Sequence, residues 1–95
     1  MMSVIDEIAA ERDRQINREG WTATHDDNEH RPGDLANAAA CYAASGEHLP
    51  SVKRLLWPFG WNWWKPKTRR RDLIRAGALI VAEIERMDRQ ENRDE

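Results

Sequence analysis

Apolar residues recur along this chain with helical spacing, and no stretch alternates in the manner of a convincing strand. Ile5, Ile8, Ala9 and Ile16 make a narrow stripe that predicts a first helix over residues 4–18. Ser3 is placed to cap it, with Asp6 three residues on as an approximate capping box. Asp6 and Glu7 suit the positive end of the dipole, and Gly20 is a natural stop. The face opposite the stripe, Glu11, Arg12, Asp13, Arg14 and Arg18, is solid charge.

After a polar loop closed by Pro32 and Gly33, Asp34 is the expected N-cap of a second helix over residues 35–45, ended by Gly46. Its signature is smallness. Six alanines and Cys41 leave Leu35 and Tyr42 as its only large apolar groups, which predicts a closely packed central helix. A third helix is predicted over 69–89. There Leu73, Gly77, Ile80, Ile84 and Met87 fall at i, i+4, i+7, i+11 and i+14, with Ala76, Leu79 and Val81 widening the stripe. Gly77 inside a helix costs about 1 kcal/mol against alanine, so a close crossing is expected there, with the alanine helix as partner. Residues 47–67 read as an aromatic connector with one helical turn around SVKRLLW, and QENRDE as a frayed end. The expected fold is all-α: one compact three-helix domain over 1–95, with a long aromatic-rich connector between helices 2 and 3.

Composition adds an expectation about assembly. The chain has 95 residues, 40% hydrophobic and 34% charged, and alanine supplies much of the apolar share. So lean a core favours close helix packing or further burial in a homo-oligomer. The net charge of −2 excludes a generic polyanion binder, so long nucleic acid is not an expected partner. Charge is nonetheless segregated. Residues 53–75 hold eight Lys or Arg against Asp72 alone, whereas residues 26–47 hold five acids against one Arg. A lone cysteine fits a reducing compartment, and Cys41 reads as a buried small hydrophobe. No apolar run approaches the roughly 18 residues of a membrane span, and no signal-peptide pattern opens the chain. A cytoplasmic protein with no membrane partner is expected.

Two stretches could carry chemistry. HDDNEH, residues 25–30, offers nitrogen and oxygen ligands for a divalent metal, but in no established metal-box spacing. A solvated loop with capping acids is the simpler reading, and no metal or cofactor is expected. WPFGWNWWKPKTRRRD, residues 57–72, holds four of the five tryptophans and five basic side chains. Indole faces stack on nucleobases at roughly 1–3 kcal/mol per base, and Lys or Arg neutralise phosphates. Trp63 and Trp64, followed by Lys65, Lys67, Arg69, Arg70 and Arg71, supply both. The arginines also fall at the start of helix 3, where anions are favoured. Two readings stay open: the cations bind a phosphate-bearing ligand, or Asp26, Asp27 and Glu29 fold back and pair with them. Trp57, Phe59 and Trp61 read as a cap on the core. Small helical nucleotide pyrophosphohydrolases hold magnesium through ExxE and ExxD spacings on two neighbouring helices, and with no ExxE in this chain Glu7, Glu11, Glu83 and Glu85 do not supply that pair. No nucleophile motif or phosphate loop appears, so no catalytic residue is assigned.

ERDRQINREGWTATHDD, DLANAAACYA, WNWWKP and RRDLIRAGALIVAEIERMDR together resemble a family of small uncharacterised bacteriophage and prophage proteins, over nearly the whole chain. The resemblance implies an accessory protein acting in the cytoplasm of a bacterial host, and carries over no active site. In outline the chain is also similar to short phage proteins that sequester nucleotide second messengers of bacterial immunity. The function expected is therefore non-catalytic binding of a phosphate-bearing nucleotide, as a counter-defence sponge. Trp63, Trp64, Lys65, Lys67 and Arg69 to Arg71 would line the pocket, with His25 and Asp26 on a base or ribose. The alternatives are a metal-dependent nucleotide (pyro)phosphohydrolase using His25, Asp26, Asp27 and Glu83, and an inhibitor that binds a host protein through the aromatic segment.

Overall fold

A computed structural model describes residues 2–19, 33–44 and 56–94. Among them are three α-helices, one 3-10 turn and no strand: α1 (Val4–Glu19), α2 (Asp34–Ala44), the turn Trp61–Trp63, and α3 (Arg69–Asp94). The all-α, three-helix expectation is met and each helix begins within one residue of its predicted start, but α3 runs on to Asp94, through the QENRD stretch expected to fray. The HDDNEH stretch, with His25 and Asp26, and most of the SVKRLLW turn lie outside the described residues.

Local chemistry sets each start. Ser3 Oγ accepts from the Asp6 N–H at 3.0 Å while Asp6 Oδ2 accepts from the Ser3 N–H at 3.3 Å, a reciprocal capping box. Thr68 Oγ1 accepts from the Arg71 N–H at 3.1 Å, which makes Thr68 the N-cap of α3. At α2 the cap falls one residue earlier than expected. Gly33, with φ of +91°, has its carbonyl bonded by the Asn37 N–H at 2.8 Å, a conformation that disfavours any side chain.

α3, and not the alanine helix α2 as expected, is the central element, and α1 and α2 each pack on it. α2 runs antiparallel to α3: the Gly33 N–H donates to Glu83 near one end, and Arg69 donates to the Ala43 carbonyl at the other. Between them Leu35, Ala38, Ala39 and Tyr42 meet Ala76, Leu79 and Ala82, all buried. Cys41 is buried in this helix, and burial raises its thiol pKa. The small side chains of α2 and of the facing stripe of α3 make this a close apolar contact.

α1 corrects two expectations. Its isoleucine stripe does not face the core: Ile5 is 73% exposed, Ala9 is exposed, and Ile8 and Ile16 are half-buried. The buried residues of α1 are instead Glu11, Arg12 and Gln15, from the charged face. Gly77 is a close crossing, but with α1 and not α2. A Cβ at this position would stand 3.0 Å from Ile8 Cδ1. The predicted stripe of α3 is likewise displaced. The buried apolar side chains are Ile74, Ala76, Ala78, Leu79 and Ala82, while Leu73, Ile80, Ile84 and Met87 remain about half exposed. Arg70 and Arg71 at the start of α3 pair with Glu7 and Glu11, so α1 turns its charged face toward that helix.

Candidate site: a stitched aromatic connector beside a buried ion cluster

The connector 56–68 divides its aromatic rings between two jobs. Trp57, Phe59 and Trp64 pack against the core cluster as a lid. Trp64 stacks on Tyr42 with centroids 4.8 Å apart, and Trp57 meets Tyr42 and Trp64 edge-on at 5.7 and 4.9 Å. Trp61 and Trp63, by contrast, are 57% and 37% exposed. The lid is thus Trp57, Phe59 and Trp64, and the outward rings are Trp61 and Trp63. The sequence places Trp61 with the lid and Trp64 with the ligand; the 3-10 turn Trp61–Trp63 exchanges them.

This segment is tied down along its length. The Tyr42 hydroxyl donates to the Trp63 carbonyl at 3.4 Å and accepts from the Lys65 N–H at 3.2 Å. Arg75 donates to the Lys65 carbonyl, and the Lys67 N–H donates to the buried Asp72 carboxylate at 2.7 Å. Trp57 Nε1 donates to the Gly60 carbonyl at 3.2 Å, closing the bend before the turn. Burial raises the Tyr42 pKa, against the opposing effect of its bond from Lys65 and of the Arg75 charge. Tyr42 therefore keeps its proton at neutral pH and can make both bonds.

Of the seven residues predicted on this stretch, the structure gives each a definite place. Lys65 and Lys67 are exposed, and Lys65 Nζ lies over the Trp63 ring at 5.6 Å, a cation–π contact. Arg69 reaches the C-terminus of α2, where a cation suits the dipole. Arg70 forms a two-pronged pair with Glu7 at 2.8 and 2.6 Å. Arg71 bonds to Glu11. Among the described residues, the carboxylates that meet Arg70 and Arg71 are on α1, and Asp26, Asp27 and Glu29 lie outside those residues. Trp63 and Lys65 are brought together, while Arg70 and Arg71 are directed to α1.

Glu11 is the centre that sequence reading did not single out. Its side chain is fully buried, with Arg14 donating to both carboxylate oxygens at 2.8 Å, Gln15 at 3.4 Å, and Arg71 alongside. Arg75 Nε stands 4.0 Å away, too far for a hydrogen bond. Burial pushes the Glu11 pKa up, but the Arg14 bonds and the charges of Arg14, Arg71 and Arg75 outweigh it and hold the group below its ordinary value. The same pairing raises Arg14. Its i, i+3 relation to Arg14 and the basic start of helix 3 were the available signals. A buried carboxylate among three guanidiniums is a docking device for α1. Beside it, Gln15 Oε1 and Arg75 Nε are buried without a hydrogen-bond partner among the described residues. They adjoin a cleft bounded by Tyr42 and Trp63 with room for about 10 Å³, one water's worth. A nucleotide does not fit in it.

Glu83 receives the Gly33 N–H at 3.3 Å and Arg86 at 2.6 Å, a structural role at the start of α2. Among the described residues no group of three His, Cys, Asp or Glu side chains is arranged to hold a metal, and no helix is long and apolar enough to cross a membrane. No family model matches the chain, no curated protein matches it, and no solved structure matches it.

Proposed function

We propose that this protein binds a phosphate-bearing nucleotide without turning it over, on the outward face of the connector. The observation that carries the reading is the pairing of two exposed indoles, Trp61 and Trp63, with two exposed ammonium groups, Lys65 and Lys67, on a backbone held by hydrogen bonds to Tyr42, Arg75 and Asp72. A base stacked on an indole gains roughly 1–3 kcal/mol, and Lys65, two residues from Trp63, reaches its phosphates. Because the segment is already fastened, little ordering entropy opposes binding. Arg70 and Arg71 engage carboxylates of α1, so phosphate contacts fall first to the two lysines. His25 and Asp26 remain the proposed contacts to base or ribose. On the resemblance to small phage proteins, the proposed setting is a bacterial cytoplasm and the proposed role is sequestration of an immune second messenger.

Calorimetry with a panel of cyclic and ADP-ribose-type nucleotides tests this reading. At least one should bind, and Trp61→Ala with Trp63→Ala should weaken it by about tenfold or more, equivalent to about 1.4 kcal/mol. Ligand recovered after denaturation should be unchanged. Binding by none of the panel overturns the reading, and conversion to product in magnesium or manganese replaces it with the hydrolase.

A further inference from the structure

α3 carries apolar side chains on three sides, and the other two helices cover only two of them. One side, Ala76, Leu79 and Ala82, lies against α2. A second, around Gly77, lies under Ile8 of α1. The third is a stripe of Leu73, Ile80, Ile84 and Met87, each 45–55% exposed. At about 100° per residue these four fall within about 60° of the circumference, a narrow seam with the seven-residue repeat of a coiled coil. A helix apolar on all sides is one that is buried on all sides. Length points the same way. At about 1.5 Å per residue the seam from Leu73 to Met87 is about 21 Å long, and Met87 lies past Glu83 and Glu85, which bond to Gly33 and to Arg12 of α1.

We infer that this third side is a self-association surface, on which a second copy of the chain lays its own α3 seam in an isologous pair. A seam that keeps one heptad register is complementary to itself, so each copy supplies both surfaces of the contact. Exposed Ile5 and Val81, which border a groove between α1 and α3, extend the apolar strip. With about 100 Å² of apolar surface per fully exposed side chain, the six residues offer about 300 Å² per copy. A standard interface buries about 800 Å² per partner, of which about 450–520 Å² is apolar. The strip thus supplies well over half the apolar core of a standard dimer. The small net charge of −2 opposes such pairing only weakly. The inference stands on α3 alone and is independent of any ligand.

Sedimentation equilibrium on the full chain, over about 1 to 200 μM, brackets the dissociation constants of interfaces of this size. The chain should sediment at twice its mass of 11.1 kDa over the upper part of that range. Ile84→Asp should raise the dissociation constant at least about a hundredfold while the helical circular dichroism is kept, since the side chain is already half exposed. Ile84→Cys should form an intermolecular disulfide on mild oxidation, and Ala36→Cys, exposed on α2, should not. A single-chain mass throughout the range overturns the inference. So does a folded Ile84→Asp that associates like the parent, or an Ala36→Cys that cross-links as readily as Ile84→Cys.

Discussion

Two helices pack on α3 by opposite means. α2 meets it through Leu35, alanines and Tyr42, an apolar contact close enough to exclude water. α1 meets it through a buried carboxylate between guanidiniums, Glu11 with Arg14 and Arg71, and through Arg12 with Glu85 at 3.2 Å. The first contact is non-directional and insensitive to pH. The second depends on charge, geometry and protonation, and its desolvation cost offsets much of its attraction. Hydrophobic periodicity identifies the core helix when the partner is apolar. It misplaces the face when a partner offers charge instead.

Three experiments separate the two contacts. Leu79→Ala should have the largest effect, about 3–4 kcal/mol in urea unfolding, because it opens a cavity in a contact lined by alanines that cannot close over it. A loss under about 1 kcal/mol would place the main stabilisation elsewhere. Glu11→Ala should cost about 3 kcal/mol, at the low end for a broken buried cluster, since Arg14 and Arg71 are partly exposed and can rehydrate. Hydrogen exchange should then quicken in α1 more than in α2, and equal loss in both would erase the distinction. Acid should have the smallest effect. The Glu11 carboxyl is held below its ordinary 4.5, so its contribution is complete above that pH and is lost as pH falls through the depressed value. Urea unfolding at pH 5 and pH 3 should show that loss in the parent and a smaller one in Glu11→Gln. Equal slopes in the two would remove Glu11 as its source.

The legibility of the site follows the same division. Trp57 and Phe59 pack on the core as the lean composition led one to expect, and Trp63 is exposed. The exchange of Trp61 and Trp64 cannot be read from the sequence. It depends on the 3-10 turn and on the Tyr42 hydroxyl, which joins Trp63 to Lys65 across 21 and 23 residues of sequence. The arginines at the start of α3 were recognisable as needing anionic partners. Their identity as Glu7 and Glu11, more than 60 positions away in Arg70's case, follows only from the crossing at Gly77.

Sequence alone determined three helices, their starts, the alanine packing of α2 and the absence of membrane-length apolar segments among them. These depend on capping, propensity and periodicity, which act over one to four residues. Tertiary structure decided which face of α1 is buried, which rings of the connector meet solvent, and that an apolar side of α3 is left uncovered by α1 and α2. Each of those is a competition between distant groups for the same surface, settled by the ion cluster at Glu11, the close approach at Gly77 and the Tyr42 bonds to the connector.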